Sequence, residues 1–254
     1  DMRFIDTEAR TAAGEPTSLW PEARGLLPAR FGQEPERACL LELECVVGAG
    51  EDLPDAAGEL ADAVTALRLA TGAAVAAGPV LFERLDWHPY GVRPLPPIAS
   101  TEPSGEATRL DEFRGRLARD LMERLPACDA DSELGEALDR WELALLAPEP
   151  LRSDLLREAL AALLGGGEGL WAAAARAAVL VAASPGDRAR AFARLRSLVG
   201  GGRAGPEDSD LLRRSLVETL MYGERSGLLE RLDEALLGLS PRPSSYLAPR
   251  AVAG

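Results

Sequence analysis

Ala189-Arg190-Ala191-Phe192-Ala193-Arg194-Leu195-Arg196-Ser197-Leu198-Val199-Gly200-Gly201-Gly202-Arg203-Ala204-Gly205 reads as a helix that runs into a glycine stop. Phe192, Leu195 and Val199 recur at spacings of three and four, which places them on one helical face. Gly200 to Gly202 supply the positive-φ freedom with which helices end, and Arg196 and Ser197 fall in the last turns. Upstream, Ser184-Pro185 supplies an N-cap and a first-turn proline for the same helix.

The helical period continues on both sides of this stretch. Leu110, Phe113, Leu117, Leu121 and Leu125 form one apolar stripe, Leu134, Leu138, Trp141 and Leu145 a second, and Leu156, Leu160, Leu163 and Leu164 a third, with Ser153 placed to cap it. Glu168 to Ala183 is rich enough in alanine to be a central, closely packed helix. Beyond the 200–206 loop, Leu212, Leu216 and Leu220 mark one more helix, and Leu229, Leu232 and Leu236 a last one. From Ser240 the chain is rich in Pro and Ser, and this composition predicts a disordered tail over 240–254.

Toward the N-terminus the pattern changes. Residues 1–37 are broken by Pro16, Pro21, Pro28 and Pro35 and hold at most one short strand. Leu41, Leu43, Cys45 and Val47 alternate with Glu42, Glu44 and Val46, the period of a strand with one buried face. Asp55 to Thr71 is helical, with Leu60, Val64, Leu67 and Thr71 on one stripe and Gly72 as its stop. Ala73 to Leu85 predicts a strand or hairpin, and Trp87-His88-Pro89-Tyr90 the turn beyond it. Pro94, Pro96, Pro97 and Pro103 make 92–105 an extended linker. The reading is therefore mainly α: a small α+β domain over 1–107 and a helical bundle over 108–239.

Composition agrees and excludes several function classes. Of 254 residues 46% are hydrophobic and 5% aromatic, as in a soluble, alanine- and leucine-rich helical protein. All 28 basic residues are arginine, so no Walker A lysine, lysine Schiff base or lysine general base is available. The formal charge of −13 disfavours polyanions such as RNA, although a local arginine patch can override it. Cys39, Cys45 and Cys128 form no CxxC pair, and with His88 as the only histidine no zinc site and no cofactor is expected. Leu170 to Ala183 is interrupted by Arg176 and too short to span a bilayer. The odd cysteine count, without a secretory leader, predicts reduced thiols in the cytoplasm.

Several segments resemble landmarks of the ApeA-like proteins of the HEPN superfamily, in family order. They are 66–72 (Ala-Leu-Arg-Leu-Ala-Thr-Gly), Trp87-His88-Pro89, 137–144 (Ala-Leu-Asp-Arg-Trp-Glu-Leu-Ala), 158–165 (Glu-Ala-Leu-Ala-Ala-Leu-Leu-Gly), 175–178 and Phe192 to Gly202. The resemblance spans roughly residues 40–237 and implies a HEPN-like helical bundle. The family signature is Arg-Ser, a short apolar pair or triplet, then His-Gly at a helix end; Arg196, Ser197 and the glycines match it. The histidine is missing. Gly200 stands where it would be, one residue short of the usual spacing, and Ala161 replaces an acidic position.

In active members of the family, histidine handles the proton of the attacking 2′-hydroxyl and arginine binds the scissile phosphate across a dimer interface. Loss of the proton-handling group should cost about 10²- to 10⁴-fold in rate, on the order of 3–5 kcal/mol. The resemblance therefore implies a catalytically degenerate protein acting through contacts with another protein, in bacterial stress or phage defence. The rivals are a metal-independent RNA endonuclease that uses Arg196 with a different base, and a helical interaction module unrelated to RNA. The family's habit of pairing motif helices implies a homodimer through the Arg196 helix, with apolar surface left over at Leu195, Leu198 and Val199.

Other residues have plainer readings. Arg196 is either a phosphate or interface ligand or an arginine complementing the helix dipole. His88 reads as a packing residue, and it would have to serve any Ser-His-Asp triad as well. Gly200-x-Gly202-x-x-Gly205 satisfies GxGxxG but follows a helix and meets Pro206-Glu207-Asp208, the wrong context for a dinucleotide. Gly165 to Gly169 is a loop between helices. Trp141 and Trp171 read as core or helix-interface aromatics, and Glu42 and Glu44 as a solvated strand edge.

Overall fold

The computed structural model describes residues 110–247 without a break, 55–76, the strand segments 2–5, 40–43, 80–85 and 88–94, and a few isolated positions. The chain is mainly helical and divides into two units. One comprises 1–64 and 75–109, the other 65–74 and 110–254.

In the first unit, β1 (Met2–Ile5) pairs antiparallel with β2 (Leu40–Leu43), Met2 opposite Leu43. The strand expected over 41–47 is described to Leu43, and 44–47 lie outside the described residues. β3 (Val80–Leu85) and β4 (His88–Pro94) form an antiparallel hairpin with Leu85 opposite His88 and an irregularity at Glu83/Arg84. His88 to Tyr90 are thus strand rather than turn. Val92 to Pro94 are strand as well, not linker, and 95–105 lie outside the described residues.

Helix α1 (Ala56–Thr71) ends before Gly72 as its stripe requires. Its second half groups with the helical unit instead of the N-terminal one, and residues 66–70 are buried on consecutive positions. A helix buried all round needs neighbours on every side. Thr65 and Arg68 both bond Glu142, at 2.8 and 2.9 Å.

The helical unit continues with α2 (Glu112–Met122), the short α3 (Ala127–Ala130), α4 (Ser132–Leu146), α5 (Leu151–Leu164), α6 (Leu170–Val181), α7 (Pro185–Val199), α8 (Pro206–Tyr222) and α9 (Arg225–Leu236). Short loops make consecutive helices pack, α4 on α5 and α6 on α7 most extensively. The central helix is α8, which touches α2, α4, α5, α6, α7 and α9. The alanine-rich α6 has fewer neighbours. Residues 215–220 of α8 are buried throughout, and the Ser215 and Thr219 hydroxyls donate to carbonyls one turn back in their own helix, at 2.9 and 2.8 Å.

The stripes hold in their centres and shift at their ends. Leu110 and Phe113 are exposed while Leu117, Leu121 and Leu125 are buried, and in α9 the buried pair is Leu228 and Leu232. Trp141 is fully buried and donates from Nε1 to the Ser209 carbonyl at 3.3 Å. Trp171 is 55% exposed and is no core residue. Ser153 does not cap α5, whose N-cap is Pro150. The tail expected to be disordered over 240–254 is described to Leu247, and its residues 242 and 245–247 are held by hydrogen bonds to α6 and to Glu218 of α8; 248–254 lie outside the described residues.

Guanidinium groups close the helix C-termini, where the last carbonyls have no partner within the helix. Arg225 donates to Ala162 and Leu163 and Arg176 to Leu164 and Gly165 at the end of α5. Arg213 donates to Leu69 at the end of α1, Arg152 to Ala147 after α4, and Arg214 to Val181 at the end of α6. Arg188 donates to Ala182 and Ala183 just beyond it. A planar fork with five donors reaches two carbonyls at once, which an ammonium group does poorly.

Candidate functional site

Ser184 caps α7, its Oγ accepting from the Asp187 N–H at 3.1 Å, with Pro185 in the first turn as the sequence implies. At the other end the glycines complete a Schellman motif. The Gly202 N–H donates to Ser197 O at 2.9 Å and the Gly201 N–H to Leu198 O at 3.1 Å. Only Gly201 takes a positive φ, +92°; Gly200 has −77°. A Cβ on Gly202 would come within 2.7 Å of Ser197 O, so close backbone approach, not backbone hand, requires glycine there.

Neighbouring helices pin this corner. Arg157 of α5 donates to Leu198 O at 3.3 Å and to Gly202 O at 3.5 Å while pairing with Asp154. Arg194 pairs with Glu207 at 2.5 Å and Asp208 at 3.3 Å, tying α7 to the start of α8. Buried Ser153 donates to Glu149 at 2.6 Å and accepts from the Ala204 N–H at 2.9 Å. The Gly205 N–H donates to Asp208 at 2.7 Å.

Arg196 and Ser197 are both exposed on the last turn; the Arg196 carbonyl accepts from the Gly200 N–H at 2.9 Å, and its guanidinium makes no hydrogen bond or ion pair among the described residues. The same is true of the Arg203 guanidinium across the glycine turn. The motif residues are thus brought together: Arg196 presents its charge to solvent, and Ser197 and Gly200 serve the helix end through their backbones. His88, the chain's single histidine, is exposed at the start of β4 in the other unit. Gly200 to Gly205 joins two helices.

Of the apolar cluster expected to be left over on α7, Val199 is half-buried, as is Phe192, and the two leucines are buried. Leu195 is 1% and Leu198 2% exposed, because α7 packs against α5, α6 and α8 together and its wide apolar face is used inside the unit. Ala189, Ala193, Arg196 and Ser197 face outward. The large exposed apolar side chains of this unit lie elsewhere, on Trp171, on Leu236 at the end of α9 and on Leu237 and Leu239 beyond it, among others.

Two charged clusters that sequence patterns did not indicate hold α9 in place. Arg176, 3% exposed inside α6, pairs with Asp233 at 2.6 Å and Glu168 at 2.8 Å. The Asp233 hydrogen bond raises the Arg176 pKa further, against burial. Arg225 pairs with Asp131 at 2.8 Å and with Glu133. Burial pushes the Asp131 carboxyl up, yet Arg225 and the Leu134 and Glu133 N–H groups together hold it below its ordinary value. These residues are structural clamps. Only an arginine interrupting an apolar helix hinted at the first.

Among the described residues no cluster of His, Cys, Asp and Glu could hold a metal ion, and no helix is long and apolar enough to cross a membrane. Comparison with models of known families, with characterised proteins and with solved structures finds no match to this chain.

Proposed function

We propose that the chain is a catalytically degenerate HEPN-like protein that acts through contacts with another protein, in a bacterial stress or phage-defence setting. The observation that carries the reading is the state of the motif corner. Arg196 is displayed without any histidine in its unit, and Gly200, at the histidine position, is a helix C-cap. An arginine can hold a phosphate, but it cannot take a proton from a 2′-hydroxyl near neutral pH.

One observation favours the ribonuclease rival. Between Pro185 and Gly205 the chain has five arginines and one acidic residue, the reverse of its overall balance. Arg190 and Arg194 are paired with Asp187, Glu207 and Asp208, which leaves Arg196 and Arg203 as the exposed charges that would attract RNA despite the net charge. An RNase assay in EDTA on the parent protein beside Arg196→Ala tests this rival: metal-independent cleavage abolished by the substitution would overturn the leading reading. Leu195 and Leu198 are used inside the unit, so a homodimer through α7 would rest on Val199, on small side chains and on arginines.

A further inference from the structure

The segment after α9 is an irregular peptide, bent at Tyr246 and Leu247, whose hydrogen bonds go to three helices. Gly238, at φ +73°, turns the chain out of α9, the Leu239 N–H closing back on Glu234 O at 2.8 Å. Arg242 then donates to Val179 O of α6 at 3.4 Å, and Pro243 is buried. Glu218 of α8, 4% exposed, receives the next three donors: the Ser245 hydroxyl, the Tyr246 N–H at 2.7 Å and the Leu247 N–H at 2.9 Å. The Tyr246 hydroxyl donates to Asp120 of α2 at 2.5 Å.

In each of these bonds the helices accept and the segment donates. Two carboxylates and one carbonyl face a guanidinium, two hydroxyls and two successive backbone N–H groups. Two successive backbone N–H groups converge on one carboxylate only where the chain bends, as it does at Tyr246 and Leu247, so Glu218 reads that bend, while the flanking acceptors read a cation before it and a phenol beside it. Pro241 and Pro243 keep the segment out of helix and sheet, so it can leave without unravelling an element.

We propose that Glu218, Asp120 and the C-terminal turn of α6 form a docking site for a peptide with the order Arg-Pro-x-Ser-Tyr-apolar that bends at its last two residues. Residues 242–247 fill it in cis, and a partner bearing the same pattern fills it in trans. A tethered segment competes at an effective concentration in the millimolar range, so a free peptide is masked until the tether is released. The inference goes beyond the reading above and stands whether or not the chain cleaves RNA.

The probe is a fluorescein-labelled synthetic peptide, Ser-Pro-Arg-Pro-Ser-Ser-Tyr-Leu, identical to 240–247, titrated against the full chain. Tyr246→Pro with Leu247→Pro removes both backbone donors in cis and leaves the helices untouched. Binding should be at least tenfold tighter to this variant than to the parent, and Glu218→Gln in the same background should lose at least tenfold. A peptide with proline at the last two positions should not bind. In the parent protein, excess unmodified peptide should speed amide exchange at Tyr246 and Leu247, which needs no substitution. Equal binding to parent and released chain, no effect of Glu218→Gln, or exchange at those amides unchanged by excess peptide would each overturn the proposal.

Discussion

Arg176 and Asp233 form a two-point pair, Nε to Oδ1 at 2.7 Å and Nη2 to Oδ2 at 2.6 Å, while Nη1 of the same arginine donates to Leu164 O and Gly165 O. One buried side chain thereby joins α6, α9 and the end of α5. A lysine would keep the charge and lose the fork, leaving buried carbonyls and half the carboxylate unmatched. Arg176→Lys is expected to cost about 2–3 kcal/mol, roughly 5–10 °C in melting temperature. A thermal melt within about 2 °C of the parent would show that the fork is dispensable.

Leu198 is spent in the core, which changes what a charge there does. Leu198→Asp should destabilise the folded chain by about 3 kcal/mol or more, independently of protein concentration. Ala193→Asp, on the outward face of the same helix, should stay within about 0.5 kcal/mol. Urea unfolding at two protein concentrations reads both effects. A Leu198→Asp protein as stable as its parent but altered in mass by light scattering would instead place this residue at an interface.

Asp131 gives the clamp on Arg225 its pH dependence. Burial raises its pKa, but Arg225 and two backbone N–H groups outweigh burial, so the folded value lies below the ordinary 3.8. A carboxyl with a lowered folded pKa contributes stability that is present above the unfolded value and lost as pH falls through the folded one. The stability gap between the parent and Asp131→Asn should therefore be constant from pH 7 to about 5 and close progressively below pH 4. Urea midpoints across that range measure it, and a gap that widens toward acid would reverse the assignment.

Most of the helical unit was legible because its helices carry Leu and Ala at a period of 3.6 and its punctuation is local: Ser184-Pro185 opens α7 and Gly201 turns the chain beyond it. What was illegible depends on partners distant in sequence. Residues 241–247 read as disordered because Pro and Ser dominate them, and no local pattern says that Glu218 waits to accept their donors. The helix-capping role of the arginines was hidden for the same reason, since Arg225 and Arg213 close helices that ended far upstream. The apolar width of α7 was visible, but whether it faced a second copy or its own core depended on α5, α6 and α8 converging on it. At the candidate site, Arg196, Ser197 and the glycine stop were found by their order alone, whereas the clasp by Arg157 and Arg194 was not.

The central claim is that the motif corner displays an arginine without a proton-handling partner. The most direct measurement is single-stranded RNA cleavage by purified full-length protein in EDTA, compared with Arg196→Ala. The account predicts no cleavage above background and identical traces for the two proteins. Metal-independent cleavage that disappears in Arg196→Ala would contradict it.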